Sequence, residues 1–209
     1  MRAILFISVM LFLSACANKV APTGGTKDMD PPKVKLTSPE QGALSFNGKE
    51  ISIAFDEFVQ LKDATRQVVV SPPVFPKPTI TANGKTVKVE FEKLADSTTY
   101  VIGFGNAITD VNEGNALSGY RFVFSTGSYI DSLQLSGSIK DAVELNPDNF
   151  FTVMLYESNE AFNDSIIYKE KPRYVTNTLD SMTNYSLQNL KEGRYHIFAL
   201  KDASNNYKY

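Results

Sequence analysis

Thr79-Ile80-Thr81-Ala82-Asn83-Gly84-Lys85-Thr86-Val87-Lys88-Val89-Glu90-Phe91 is the stretch that decides the fold. β-Branched and polar residues alternate on both sides of Ala82-Asn83-Gly84-Lys85. An Asn-Gly turn between two alternating runs is the strongest short-range signal for a β-hairpin. Upstream, Ile51-Ser52-Ile53-Ala54-Phe55 alternates strictly and places Ile51, Ile53 and Phe55 on one face. Val34-Lys35-Leu36 alternates too, and Val68-Val69-Val70 is a β-branched run stopped by Ser71-Pro72-Pro73. Downstream come Tyr100-Val101-Ile102-Gly103-Phe104 and Tyr120-Arg121-Phe122-Val123-Phe124. About seven short strands with turn residues between them predict an all-β sandwich domain over residues 31–127.

A second all-β unit is expected over residues 133–209. Leu133, Leu135 and Ile139 mark a strand broken by Gly137, and Phe151 to Tyr156 is the next strand. Ile166-Ile167-Tyr168, Tyr174-Val175-Thr176, Tyr185-Ser186-Leu187 and Tyr195 to Leu200 read as further strands. Asp141 to Asn149 has turn composition, and Glu157 to Asn163 is too short and polar to count as a helix. The two units share no repeat period, so the expectation is two tandem β-sandwiches. The second ends abruptly at Tyr209, and further strands are expected to follow it.

The amino terminus sets the compartment. Met1-Arg2 is a positive start, and Ala3 to Leu13 is apolar apart from Ser8. That run is well short of the ~20 apolar residues of a membrane-crossing helix and fits the core of a secretory signal. It ends at Leu13-Ser14-Ala15-Cys16, which resembles the bacterial lipobox. The resemblance implies a signal peptide over residues 1–15, cleavage before Cys16, and lipid on the Cys16 thiol and amine. Two blander readings compete: Ala15-Cys16-Ala17 as an ordinary cleavage site, and Cys16 as a small buried hydrophobe. The position of the thiol at the signal boundary favours lipidation. Cys16 is the only cysteine, so no disulfide is available. Residues 16–30, rich in Pro, Gly and small polar residues, read as a flexible tether. Cleavage removes Arg2 and no acid, taking the formal net charge from −2 to −3, which gives no steering toward nucleic acid.

Residues 31–127 resemble the bacterial Ig-like domain of the S-layer type. The resemblance rests on Pro31-Pro32-Lys33-Val34, on Phe55-Asp56-Glu57 closing a strand, and on Ile108 to Leu117 followed by Phe122-Val123-Phe124-Ser125-Thr126-Gly127. It implies a fold and an envelope location, not an activity. Residues 133–207 resemble carboxypeptidase-regulatory or Cna-B-like sandwiches through Leu135 to Ala142, Val153 to Tyr156 and Tyr185 to Tyr195. The usual Asp-x-x-Gly is absent, and Asp180 to Asn184 stands in its place.

Little in the chain points to chemistry. His196 is the only histidine and is expected on a strand surface, on the face opposite Tyr195 and Ile197. No nucleophile-elbow serine, zinc-type His/Cys cluster or phosphate-cradling glycine loop is present, so no catalytic residue and no cofactor is expected. Asp110, Asn112 and Asn115 offer oxygen ligands for calcium in a glycine-containing loop, outside EF-hand spacing. Asp and Asn also favour turns for backbone reasons alone, which is the plainer reading. Lys140 is the candidate for a Lys–Asn isopeptide bond of the kind some Cna-B-like domains carry. The aromatic residues suit a half-buried pleated surface, and secondarily a glycan or peptide platform.

The expectation is therefore a non-enzymatic envelope lipoprotein, held on the outer membrane through its lipid, whose sandwiches act as spacer or interaction modules. Ala17 lacks the Asp that favours inner-membrane retention. Two alternatives stand beside it: a glycan- or peptide-binding surface protein, and the accessory region of an envelope enzyme continuing past Tyr209.

Overall fold

The computed structural model describes residues 25–140, 150–160, 162–163, 165–178 and 183–208. In chain order the first group is β1 (Val34–Ser38), β2 (Glu50–Phe55), β3 (Val59–Leu61), α1 (Ala64–Gln67), β4 (Val69–Ser71), β5 (Thr79–Asn83), β6 (Thr86–Glu90), β7 (Thr99–Gly103), β8 (Ile108–Asp110) and β9 (Arg121–Ser125). The second is β10 (Leu133–Ser138), β11 (Thr152–Glu157), α2 (Ile166–Lys169), β12 (Tyr174–Asn177), β13 (Asn184–Leu190) and β14 (Tyr195–Leu200).

The hairpin forms as its alternation requires. β5 and β6 pair antiparallel from Asn83↔Thr86 to Thr79↔Glu90, leaving Gly84-Lys85 as a two-residue loop. Gly84 has φ 61°, the positive value that the first loop residue of a type II′ turn needs and that a residue without a Cβ adopts freely. β6 then pairs with β2 and β2 with β1, giving the sheet β1-β2-β6-β5. The inward faces of β2 and β6 are Ile51, Ile53, Phe55, Val87 and Val89, all buried. They pack against Tyr100, Ile102, Phe122 and Phe124 of the opposing sheet β4-β7-β9. Each such side chain contributes about 1.5–3 kcal/mol on burial, which is how the unit holds together without a disulfide.

The second group is a thinner sandwich of β10-β13 against β12-β11-β14. Its core is Val153, Leu155, Tyr174, Leu187 and Leu190. Leu133 and Leu135 pair across β10-β13 with Leu190 and Leu187, so they share the inner face. They nevertheless remain 50% and 37% exposed, so this face is not fully covered along β10. β10 runs through Gly137 rather than breaking there. Ile166-Ile167-Tyr168, expected as a strand, forms the helical turn α2. Ile166 and Ile167 pack against the cluster of Met154, Tyr156 and Val175, and that packing outweighs their β propensity.

The two groups share a core. Val69 of β4 packs with Met154, Tyr156, Val175 and Tyr207, with Phe75 alongside. The edge strands β4 and β12 face each other, and the Val175 N–H donates to Ser71 Oγ at 3.1 Å in the buried seam. Asn177 Nδ2 donates to the Arg66 carbonyl at 3.0 Å, and the Arg66 guanidinium lies 4.0 Å from the centre of the Phe150 ring. Each unit thus covers an edge strand of the other, a common way to blunt an exposed edge.

Candidate interaction surfaces

Cys16 lies outside the described residues, as does all of the signal and most of the tether. At the tether's end, Asn115 Nδ2 donates to the carbonyls of Asp28 and Asp30 at 3.1 and 3.2 Å. The chain is therefore fastened to the first sandwich from Asp28 onward, slightly before Pro31.

Asp110 organises the loop that contains Asn112 and Asn115. Its Oδ1 accepts the backbone N–H groups of Glu113 and Gly114 at 2.6 and 3.0 Å, and its Oδ2 accepts that of Asn115 at 2.7 Å. Both carboxylate oxygens thus have protein donors, and the Asn115 amide serves the tether. Among the described residues, no group of three or more His, Cys, Asp or Glu stands together as metal ligands. Burial alone would raise the Asp110 pKa, but the loop N–H groups overcome it and hold the carboxyl below the ordinary value. A depressed carboxyl stabilises the fold above its unfolded pKa, and that contribution is lost as pH falls through the folded one. Asp110→Asn is therefore expected to lower the urea midpoint at pH 6. The gap to wild type should narrow as pH falls below the ordinary carboxylate range and through the lowered folded value, where the wild-type carboxylate takes up its proton.

His196 is half-buried rather than displayed. Its ring stacks on Phe162, with centroids 3.7 Å apart and an interplanar angle of 14°. It pairs across β11-β14 with Tyr156, on the face opposite Leu155 and Ile197. Lys140 is exposed, whereas an isopeptide lysine must be buried among its partners.

Two surfaces along the seam were not anticipated. The first is an apolar cavity of about 230 Å³ lined by Ala64, Val68, Val70, Val74 and Ile80, with Lys77 and Tyr207 at its wall. Lys77 Nζ donates to the Asn205 carbonyl at 2.6 Å and lies 4.5 Å from the centre of the Tyr207 ring. Burial lowers the Lys77 pKa, partly opposed by Asp202. The second is a crevice, also of about 230 Å³, between β7, β9, β12 and β13. A hollow of about 30 Å³ adjoins it, and Gly103, Arg121, Thr176 and Ser186 line both. Gly105 forms part of its floor; with φ 55°, a Cβ there would come within 2.5 Å of Gln67 Oε1, so only glycine fits. A charged residue opening the apolar, aromatic run Arg121-Phe122-Val123-Phe124 is the one sequence signal that marks this crevice.

Residues 28–126 match the family model of the bacterial Ig-like domain. No curated protein matches the chain. Among solved structures, an L,D-transpeptidase from Mycobacterium smegmatis aligns at 13% identity over 75% of this chain and 77% of that chain, with a TM-score of 0.32.

Proposed function

We propose that this chain is a lipid-anchored envelope protein whose Ig-like domain and second sandwich act together as one stiff spacer and interaction module. The observation that carries the reading is the shared core at the seam, Val69 against Met154, Tyr156, Val175 and Tyr207. Two sandwiches that bury side chains in each other move as a unit, which suits a part whose work is to hold a surface at a fixed place. The bacterial Ig-like match supports an envelope setting. The lipobox-like Leu13-Ser14-Ala15-Cys16 supplies the anchor, on the outer membrane by the reading of Ala17. Several acyl chains hold a protein firmly where one does not. Residues 17–27 would let the module stand at most ~40 Å from the lipid.

The anchor has a direct test. Wild-type protein should fractionate with membranes, and its amino-terminal peptide should begin at Cys16 with added acyl mass. Cys16→Ser should leave the membrane fraction. A variant that stays with membranes, together with a wild type carrying no acyl mass, sinks the anchor.

A further inference from the structure

The crevice between β7, β9, β12 and β13 holds a cation that the described residues do not neutralise. Arg121 opens β9 and reaches across to the second sandwich, where its Nη2 donates to the Ser186 carbonyl at 3.3 Å. Among the described residues no carboxylate forms an ion pair with it. A guanidinium has five N–H donors in a planar fork, and one long bond to a carbonyl leaves most of that capacity unused. Burying a charge without a counter-charge is costly, so a half-buried arginine in an open crevice is poised for an anion. Planar carboxylates fit it best, because two oxygens meet two N–H groups side by side.

The crevice lies between the two units, a common place for small-ligand sites.

We propose that this crevice binds a small ligand through its free carboxylate, held by Arg121. The site goes beyond the anchoring reading and is independent of it, since it is formed by described residues of the two sandwiches.

The test uses acetyl-Ala-Ala with a free carboxylate and the same dipeptide as its terminal amide, each titrated to ~10 mM into isotope-labelled protein. The acid should shift the backbone amide signals of Gly103, Gly105 and Gly119. The amide form, and Arg121→Gln with the acid, should each bind at least about 10-fold more weakly, as expected for losing a charge-assisted pair. Equal binding of acid and amide, no shift at these glycines, or undiminished binding of the acid by Arg121→Gln would each overturn the proposal. None of those results would bear on Cys16.

Discussion

Phe124→Ala is expected to destabilise the first sandwich by about 3–5 kcal/mol, the usual range for deleting a buried aromatic ring. Phe124 is fully buried in β9, where the inward positions alternate Phe122, Phe124. Its ring meets Phe46 edge-on at 5.0 Å and stacks on Tyr100 at 5.4 Å. Phe91 and Phe122 lie at 5.9 and 6.2 Å. Tyr100 and Phe122 sit on the paired strands β7 and β9, and Phe46 and Phe91 follow β1 and β6 with their N–H groups bonded to Ser125 and Lys49 carbonyls, so the four rings are poorly placed to collapse into the space vacated. The cost therefore belongs at the upper end for a cavity that cannot relax. A domain of this size has about 5–15 kcal/mol to lose, so the melting temperature should fall by roughly 15 °C or more. Phe58→Ala is the control: Phe58 is 61% exposed, and its loss should change stability by less than about 0.5 kcal/mol. Urea denaturation of both variants decides the matter. A Phe124→Ala cost below about 1 kcal/mol would mean the core is not packed around this ring.

What could be read from sequence divides along chain separation. β2 and the β5–β6 hairpin were legible because their signals are local: alternation within one strand, and a turn between neighbours. The Asp110 loop was legible as a turn for the same reason. β3, α1 and β8 were not, since three or four residues carry too little periodicity to outweigh their surroundings. α2 was misread because its β-branched residues look like a strand until the cluster beneath them is known. The seam was wholly hidden. Ser71 and Val175 are 104 positions apart, and Arg121 and Ser186 are 65 apart, so no local pattern links either pair. Cys16 is a different case: its proposed lipidation rests on four adjacent residues and makes no reference to any fold.

Tyr207→Ala is expected to cost about 3 kcal/mol and to loosen the seam between the two sandwiches. Tyr207 belongs to the second group, yet it is 4% exposed against the first. Its ring meets Phe75 edge-on at 6.2 Å and forms part of the wall of the apolar cavity between α1, β4 and β5. Its backbone adopts φ 60°, unusual for a tyrosine, and its N–H donates to Asp202 Oδ2 at 2.7 Å. The turn from Asp202 to Tyr207 is thus shaped to deliver one ring across the seam. Removing that ring enlarges a cavity that is already present, which adds to the lost burial. The Val175 amide, protected by Ser71 at the same seam, should exchange with solvent faster in the variant, while Ile53 in the distant sheet should not. Tyr207→Phe separates the ring from its hydroxyl. Burial, helped by Asp202, pushes the Tyr207 phenol up to about 12, so the folded state holds its proton more tightly than the unfolded chain. A raised acid pKa contributes stability below the unfolded value near pH 10 that is lost as pH climbs toward 12. Tyr207→Phe should keep the ring's packing at neutral pH and unfold less readily in that alkaline window. Tyr156, also held at about 12, should leave a residual alkaline transition in both proteins. If Tyr207→Ala unfolds with wild-type midpoint and Val175 exchange, the ring does not join the sandwiches, and the stiff-spacer reading loses its mechanical basis.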